Sequence, residues 1–154
     1  MEKSIFAGVV ALTLLSKITC ANAQQFGTAE EAGAMLDRAI SALKSDEGKA
    51  LAEFNDVDNK QFHENDLYVV CFNISDGKIT AYSAPALLGV DIRTLNLNDD
   101  PIGQRTYDAI HELPQGNVAT VDYSFPKPAK AERVPKQFIE ARIGSEACGV
   151  AYFK

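Results

Sequence analysis

The sequence predicts an α+β domain built on an antiparallel five-stranded sheet, and three observations carry that prediction. A long amphipathic stretch precedes every strand-like segment. Two strand-like runs follow as a hairpin around Asp76-Gly77, and three more follow later as a meander. Hairpin-linked strands with helices set apart in the chain argue for an antiparallel sheet rather than a parallel one.

The helix opens at Thr28, which with Glu31 three residues on forms a capping box. Ala32, Met35, Leu36, Ala39, Ile40, Leu43, Ala50, Leu51 and Phe54 then recur at helical spacing, with Asp37, Arg38, Lys44, Asp46 and Lys49 turned away. Read as one helix from Thr28 to Phe54, the stretch is roughly 40 Å long at 1.5 Å per residue. Gly33 and Gly48 each weaken it by up to about 1 kcal/mol without ending the stripe. Its single apolar face must lie along something flat.

Asn55 to Glu64 is polar turn sequence. Asp56 and Asp58 have the spacing that opens a calcium loop, but Lys60 stands where the next oxygen ligand belongs, and the loop's glycine and closing glutamate do not follow. Leu67 to Ile74 is apolar on both alternating faces, which suits a strand covered on both sides. Asp76-Gly77 can supply the two positive-φ positions of a two-residue hairpin turn. After the second strand and the exit Ser83-Ala84-Pro85, the segments Ala86-Leu87-Leu88-Gly89 and Ile92-Arg93-Thr94-Leu95 read as a loop or short helix with apolar residues to tuck inward. Asp99-Asp100-Pro101 predicts a second helix with an acidic N-cap and proline at its first position, running through Tyr107 and Ile110 to Pro114-Gln115-Gly116. Asn117 to Pro126 alternates Ala119, Val121, Tyr123 and Phe125 against Thr120, Asp122 and Ser124. A proline-rich basic connection leads to strands at Gln137–Ile143 and Ala147–Phe153, joined at Gly144-Ser145-Glu146.

A chain of 154 residues predicts one domain, preceded here by a leader. Lys3, the apolar run Ile5–Leu15 and Ala21-Asn22-Ala23 read as a signal peptide, residues 1–23, cleaved after Ala23. The apolar run is too short for a bilayer, which needs about 20 residues, and no later segment predicts membrane insertion of the mature chain. Cys20 is preceded by Lys17-Ile18-Thr19, which lacks the leucine and small residue of a lipoprotein signal. Removing Glu2, Lys3 and Lys17 takes the formal charge from −6 to one unit lower. Such acidity excludes nucleic acid, whose phosphates need clustered Lys and Arg, and is unsuited to an anionic membrane. Residues 24–154 keep Cys71 and Cys148. In an exported protein they form either a disulfide or two buried thiols.

Catalytic chemistry is not indicated. His63 and His111 stand apart from any nucleophile motif, G-x-S-x-G and H-E-x-x-H are absent, and no Cys, His and carboxylate cluster at metal-ligand spacing. The expectation is a non-enzyme without cofactor or metal.

Several segments, in order, resemble a single Cache domain, an extracellular PAS-like sensor family. They are Leu67-Tyr68-Val69-Val70 with Asp76-Gly77-Lys78, Pro85-Ala86-Leu87-Leu88-Gly89, Pro101-Ile102-Gly103, Tyr123-Ser124-Phe125-Pro126-Lys127-Pro128, Val134-Pro135-Lys136 and Gly149-Val150-Ala151-Tyr152. The resemblance spans residues 24–154. It implies a PAS-like five-stranded sheet with the long N-terminal helix on one face. On the other face, a helical or loop cap between strands 2 and 3 would close a small-ligand pocket. It also implies that the first and last strands are neighbours, which places Cys71 beside Cys148 as a disulfide. Tyr82 stands where the family often has His, and the family's tryptophans are missing.

The resemblance marks Tyr82, Tyr123, Phe125, Lys127, Lys136 and Arg142 as candidate ligand-binding residues. Aromatic walls with one or two cations suit a small carboxylate, while Tyr123 and Phe125 on an apolar strand face are more often plain core, Lys127 and Lys136 suit a solvated loop, and Arg142 suits a pair with a neighbouring carboxylate. The expected function is an exported sensor module, periplasmic or secreted, that binds a small organic acid, amino acid or amine. Because the sequence stops at Lys154, it would signal through a separate partner such as a membrane-bound receptor or kinase. The alternative is a structural or protein-interaction module of the same fold that has lost its pocket. A thiol-redox role for Cys71 and Cys148 requires an exposed, low-pKa pair.

Overall fold

A computed structural model describes residues 26–127 and 132–154. The signal peptide expected over residues 1–23 lies outside the described residues. Helix α1 (Ala29–Ser45) starts with the predicted capping box: the Thr28 hydroxyl accepts from Glu31 N–H, and the Glu31 carboxylate accepts from Thr28 N–H at 2.7 Å. The expected single helix is in fact two. Asp46 is extended at φ −160°, and its carboxylate accepts the Lys49 N–H at 3.0 Å, so it opens a second helix, α2 (Glu47–Asn55). Aspartate breaks the run because its short carboxylate offers the backbone an alternative to the helical ladder. The apolar stripe survives the break. Met35, Leu36, Ala39, Leu43, Ala50 and Phe54 all enter one core.

A two-residue strand β1 (His63–Glu64), within a segment expected to be only turn, leads into β2 (Leu67–Asn73), and β3 (Ile79–Ala81) folds back on β2. The hairpin loop is longer than the expected two-residue turn. Gly77 N–H bonds Asn73 O, and in this loop only Gly77 has positive φ, at 75°. Two 3-10 turns, Pro85–Leu87 and Ile92–Thr94, and helix α3 (Ile102–Ile110) form the crossover. Pro101, not an aspartate, occupies the N-cap of α3, and the Asp100 carboxylate instead accepts two 2.9 Å bonds from Arg105.

Strands β4 (Val118–Pro126), β5 (Arg133–Ile143) and β6 (Glu146–Phe153) complete the sheet. The β4–β5 hairpin pairs as far as Pro126↔Arg133, beyond the span predicted for β5, because the pairing consumes part of the proline-rich connection. The antiparallel order is β1-β2-β6-β5-β4, with β3 also on β2. The predicted five strands thus stand in the order β3-β2-β6-β5-β4, with β1 as a small addition at the same edge as β3.

The first and last strands are therefore adjacent. Cys71 and Cys148 face each other in register, form a disulfide and have Cα atoms 4.1 Å apart, the close spacing of a non-hydrogen-bonded pair. Both are fully buried, which suits a structural bridge and is the opposite of the exposure that a redox pair needs.

Strand alternation assigns the two faces. Leu67, Val69, Cys71, Cys148, Val150, Ala141 and Ile143 pack beneath α1 and α2. On the opposite face, Phe72, Ala119 and Ala147 pack with Ile79, Ile92 and Ile110.

Candidate functional site

The crossover closes over the sheet without filling the space beneath it. Gly103 sets that closeness: a Cβ there would fall 1.7 Å from the Ile92 carbonyl oxygen, and the Gly103 N–H bonds Leu95 O at 3.0 Å. Only glycine lets α3 approach the preceding turn this tightly. Between cap and sheet lies a cavity of about 270 Å³. Tyr68, Val70, Phe138 and Ala151 form its floor, Leu87, Ile92, Leu95, Ile102 and Thr106 its roof, and Tyr82, Tyr123, Phe125 and Lys136 its walls.

The polar character of the site resides at one end. Lys136, on β5, is 6% exposed and is the one charged side chain lining the cavity among the described residues. Its ammonium lies 3.8 Å from Asp66 Oδ2, an ion pair beyond hydrogen-bond reach. It also lies 4.4 Å from the Phe153 ring centre and 5.5 Å from that of Phe125, a cation–π setting. Burial pushes the Lys136 pKa down, and the Asp66 charge partly restores it. Asp66 Oδ1 in turn accepts the Gly27 N–H at 2.7 Å, while Oδ2 is buried without a hydrogen-bond partner.

Tyr68 and Tyr82 pack with ring centres 5.6 Å apart, and the Tyr82 N–H donates to Asn55 Oδ1 at 3.1 Å. Burial first, and then Tyr68, raises the Tyr82 phenol; burial also raises that of Tyr123. Both phenols are held neutral as hydrogen-bonding groups on an otherwise apolar wall.

Four of the six predicted residues, Tyr82, Tyr123, Phe125 and Lys136, come together around this cavity. Two do not. Lys127 sits over the Phe26 ring at 4.2 Å from its centre, outside the lining. Arg142 donates to the carbonyls of His111 and Leu113 at 2.8 and 3.3 Å and so ties β5 to the C-terminal end of α3.

Sequence reasoning passed over Asp66, Tyr68 and Glu140. Strand alternation through Val70 could have placed Tyr68 on the cavity side, but nothing local marks Asp66 as the partner of a lysine seventy positions later. Glu140 lies on the same strand face as Lys136 and Phe138, fully buried, with both carboxylate oxygens unpartnered. Burial alone pushes its pKa from 4.5 up to about 9.

No family model matches the sequence, and no curated protein is significantly similar to it. Solved structures are similar in fold. A Cache chemosensory domain described with the structural basis for its carboxylic acid recognition superposes with a TM-score of 0.60 at 16% identity, covering 80% of this chain and 91% of its own. A methyl-accepting chemotaxis protein from Vibrio parahaemolyticus gives a TM-score of 0.59 at 18% identity, covering 80% and 86%. The periplasmic sensor domain of a chemotaxis protein gives 0.54 at 16%, covering 80% and 88%. With this strand order, the helical layer on one face and the capped cavity on the other, the chain has the fold of a Cache sensor domain.

Proposed function

We propose that the chain is a sensor module whose cavity binds a small monocarboxylate with a short apolar body. Lys136 carries this reading: a largely desolvated ammonium in an aromatic cavity offers a charge-assisted hydrogen bond that water weakens little. The volume of about 270 Å³ falls just below the roughly 300–1,000 Å³ of pockets for drug-sized ligands, which suits a smaller molecule. An amine is disfavoured because, among the described residues, the charge lining the cavity is positive. The open cavity supports this reading over a module that has lost its pocket, and the carboxylic acid recognition described for one structural neighbour agrees with it.

The test is calorimetric titration with monocarboxylates, amino acids and amines. A monocarboxylate should bind, and Lys136→Met should remove binding while leaving the fold intact. Absence of binding from all three classes would refute the proposal.

Export through residues 1–23 and signalling through a separate partner complete the proposal. N-terminal sequencing of the secreted protein should begin at Gln24, and an uncleaved N-terminus would refute the export reading. Affinity capture should recover a receptor or kinase that binds differently with and without ligand; identical capture in both states would argue against signalling by this route.

A further inference from the structure

Lys136 has a charged companion just outside the cavity lining, and that companion bears on what the cavity accepts. Asp66 sits at the entry of β2, with its side chain only 11% exposed. Its two oxygens have different tasks. Oδ1 is committed to the Gly27 N–H at 2.7 Å, just ahead of α1. Oδ2 has no hydrogen bond and faces Lys136 Nζ at 3.8 Å. That distance gives charge compensation without occupying the ammonium's three donors, which leaves them for an incoming acceptor. A ligand carboxylate that reaches Lys136 therefore enters the field of a second, resident carboxylate a few ångströms away.

We propose that Asp66 is a specificity-determining residue of the cavity: an internal carboxylate that shares Lys136 with the ligand and sets an affinity ceiling for anions. This rests on the monocarboxylate reading above and goes beyond it. The Asp66 charge favours the charged form of Lys136, against the effect of burial, and it repels an anion that binds beside it. Two consequences follow for ligand class. A monoanion binds through the Lys136 N–H donors that Asp66 leaves uncommitted, at an affinity lowered by the Asp66 charge. A ligand with two neighbouring carboxylates is rejected, since the pair Lys136–Asp66 is already neutral.

Asp66→Asn isolates the charge, because an asparagine oxygen can still accept the Gly27 N–H. The experiment titrates propionate and its neutral counterpart propionamide into the wild type, Asp66→Asn and Lys136→Met. All titrations are run at pH 6, which favours the protonated form of Lys136 in each protein that keeps it, and circular dichroism confirms each fold. Asp66→Asn should bind propionate about tenfold tighter than the wild type, a factor equivalent to about 1.4 kcal/mol. Its response to propionamide should not change, and Lys136→Met should not bind propionate.

If the wild type binds propionate through Lys136 but Asp66→Asn is equal or weaker, the role of Asp66 is overturned and the monocarboxylate reading stands. If neither the wild type nor Asp66→Asn binds propionate, both fail. If β-alanine binds the wild type and is lost in Asp66→Asn, Asp66 is a direct contact for a ligand ammonium, and the competitor role is again overturned.

Discussion

Replacing Glu140 with Gln should make the protein's stability far less dependent on pH between 5 and 7. Glu140 is fully buried with neither carboxylate oxygen partnered, and burial lifts its pKa from 4.5 to about 9. Between those two values the folded chain holds a proton that the unfolded chain has released. The folded state is thus favoured in full below the unfolded pKa, and that advantage is lost as pH rises toward 9. Each pH unit inside the window costs about 1.4 kcal/mol, so the step from pH 5 to pH 7 removes about 3 kcal/mol, a large part of a total near 5–15 kcal/mol. Glutamine keeps the shape and does not titrate. Whatever its unpaired amide costs, it costs equally at both pH values. Urea unfolding of both proteins at pH 5 and pH 7 reads the difference, and contributions from Asp91, Asp122 and Glu146 cancel in the comparison. Equal pH dependence in the two proteins would refute the reasoning, because it would mean that Glu140 finds a partner or water in the folded state.

Two other perturbations are equally direct. Replacing Cys71 and Cys148 together with Ala should lower stability in urea by about 2–4 kcal/mol, and the native wild type should show neither as a free thiol; an unchanged unfolding midpoint would contradict the bridge. Gly103→Ala should drive α3 away from the Ile92 carbonyl, cost about 1–3 kcal/mol by overpacking and weaken ligand binding with it, whereas wild-type melting and affinity would show that the cap is not set by this contact.

The fold was legible where a pattern repeats. The apolar stripe from Ala32 to Phe54 and the alternation of Ala119, Val121, Tyr123 and Phe125 needed no partner to be read, because periodicity reports which face is buried. The break at Asp46 was not read, since one capping carboxylate competes with a stripe that continues on both sides of it. The turn after Asn73 misled for a similar reason: Asp-Gly is a two-residue signal, but the loop is closed by Gly77 alone in the left-handed region. Within the site, residue type suggested aromatic walls and cations. It could not sort Lys136 from Lys127 and Arg142, because which lysine faces the cavity depends on register, and which arginine is already taken depends on the end of α3. Asp66 and Glu140 were hidden because their significance lies in burial and in missing partners, and neither quantity is written in local sequence.

The disulfide also decides how the molecule carries tension. A pull applied at Phe26 and Lys154 runs along the backbone to Cys71, across the sulfur bridge and out through Cys148. Residues 72–147 hang from that path as a closed loop outside the covalent line of tension, and they hold the whole cap, β3, β4 and β5. Force can loosen the lead-in to α1, both N-terminal helices and the far half of β6, including the Phe26–Phe153 contact beside Lys136. It cannot draw the cap from the cavity by extension of the chain. Mechanical strain applied at Phe26 and Lys154 and occupancy of the cavity therefore meet at a single corner, where Gly27, Asp66, Lys136 and Phe153 lie together.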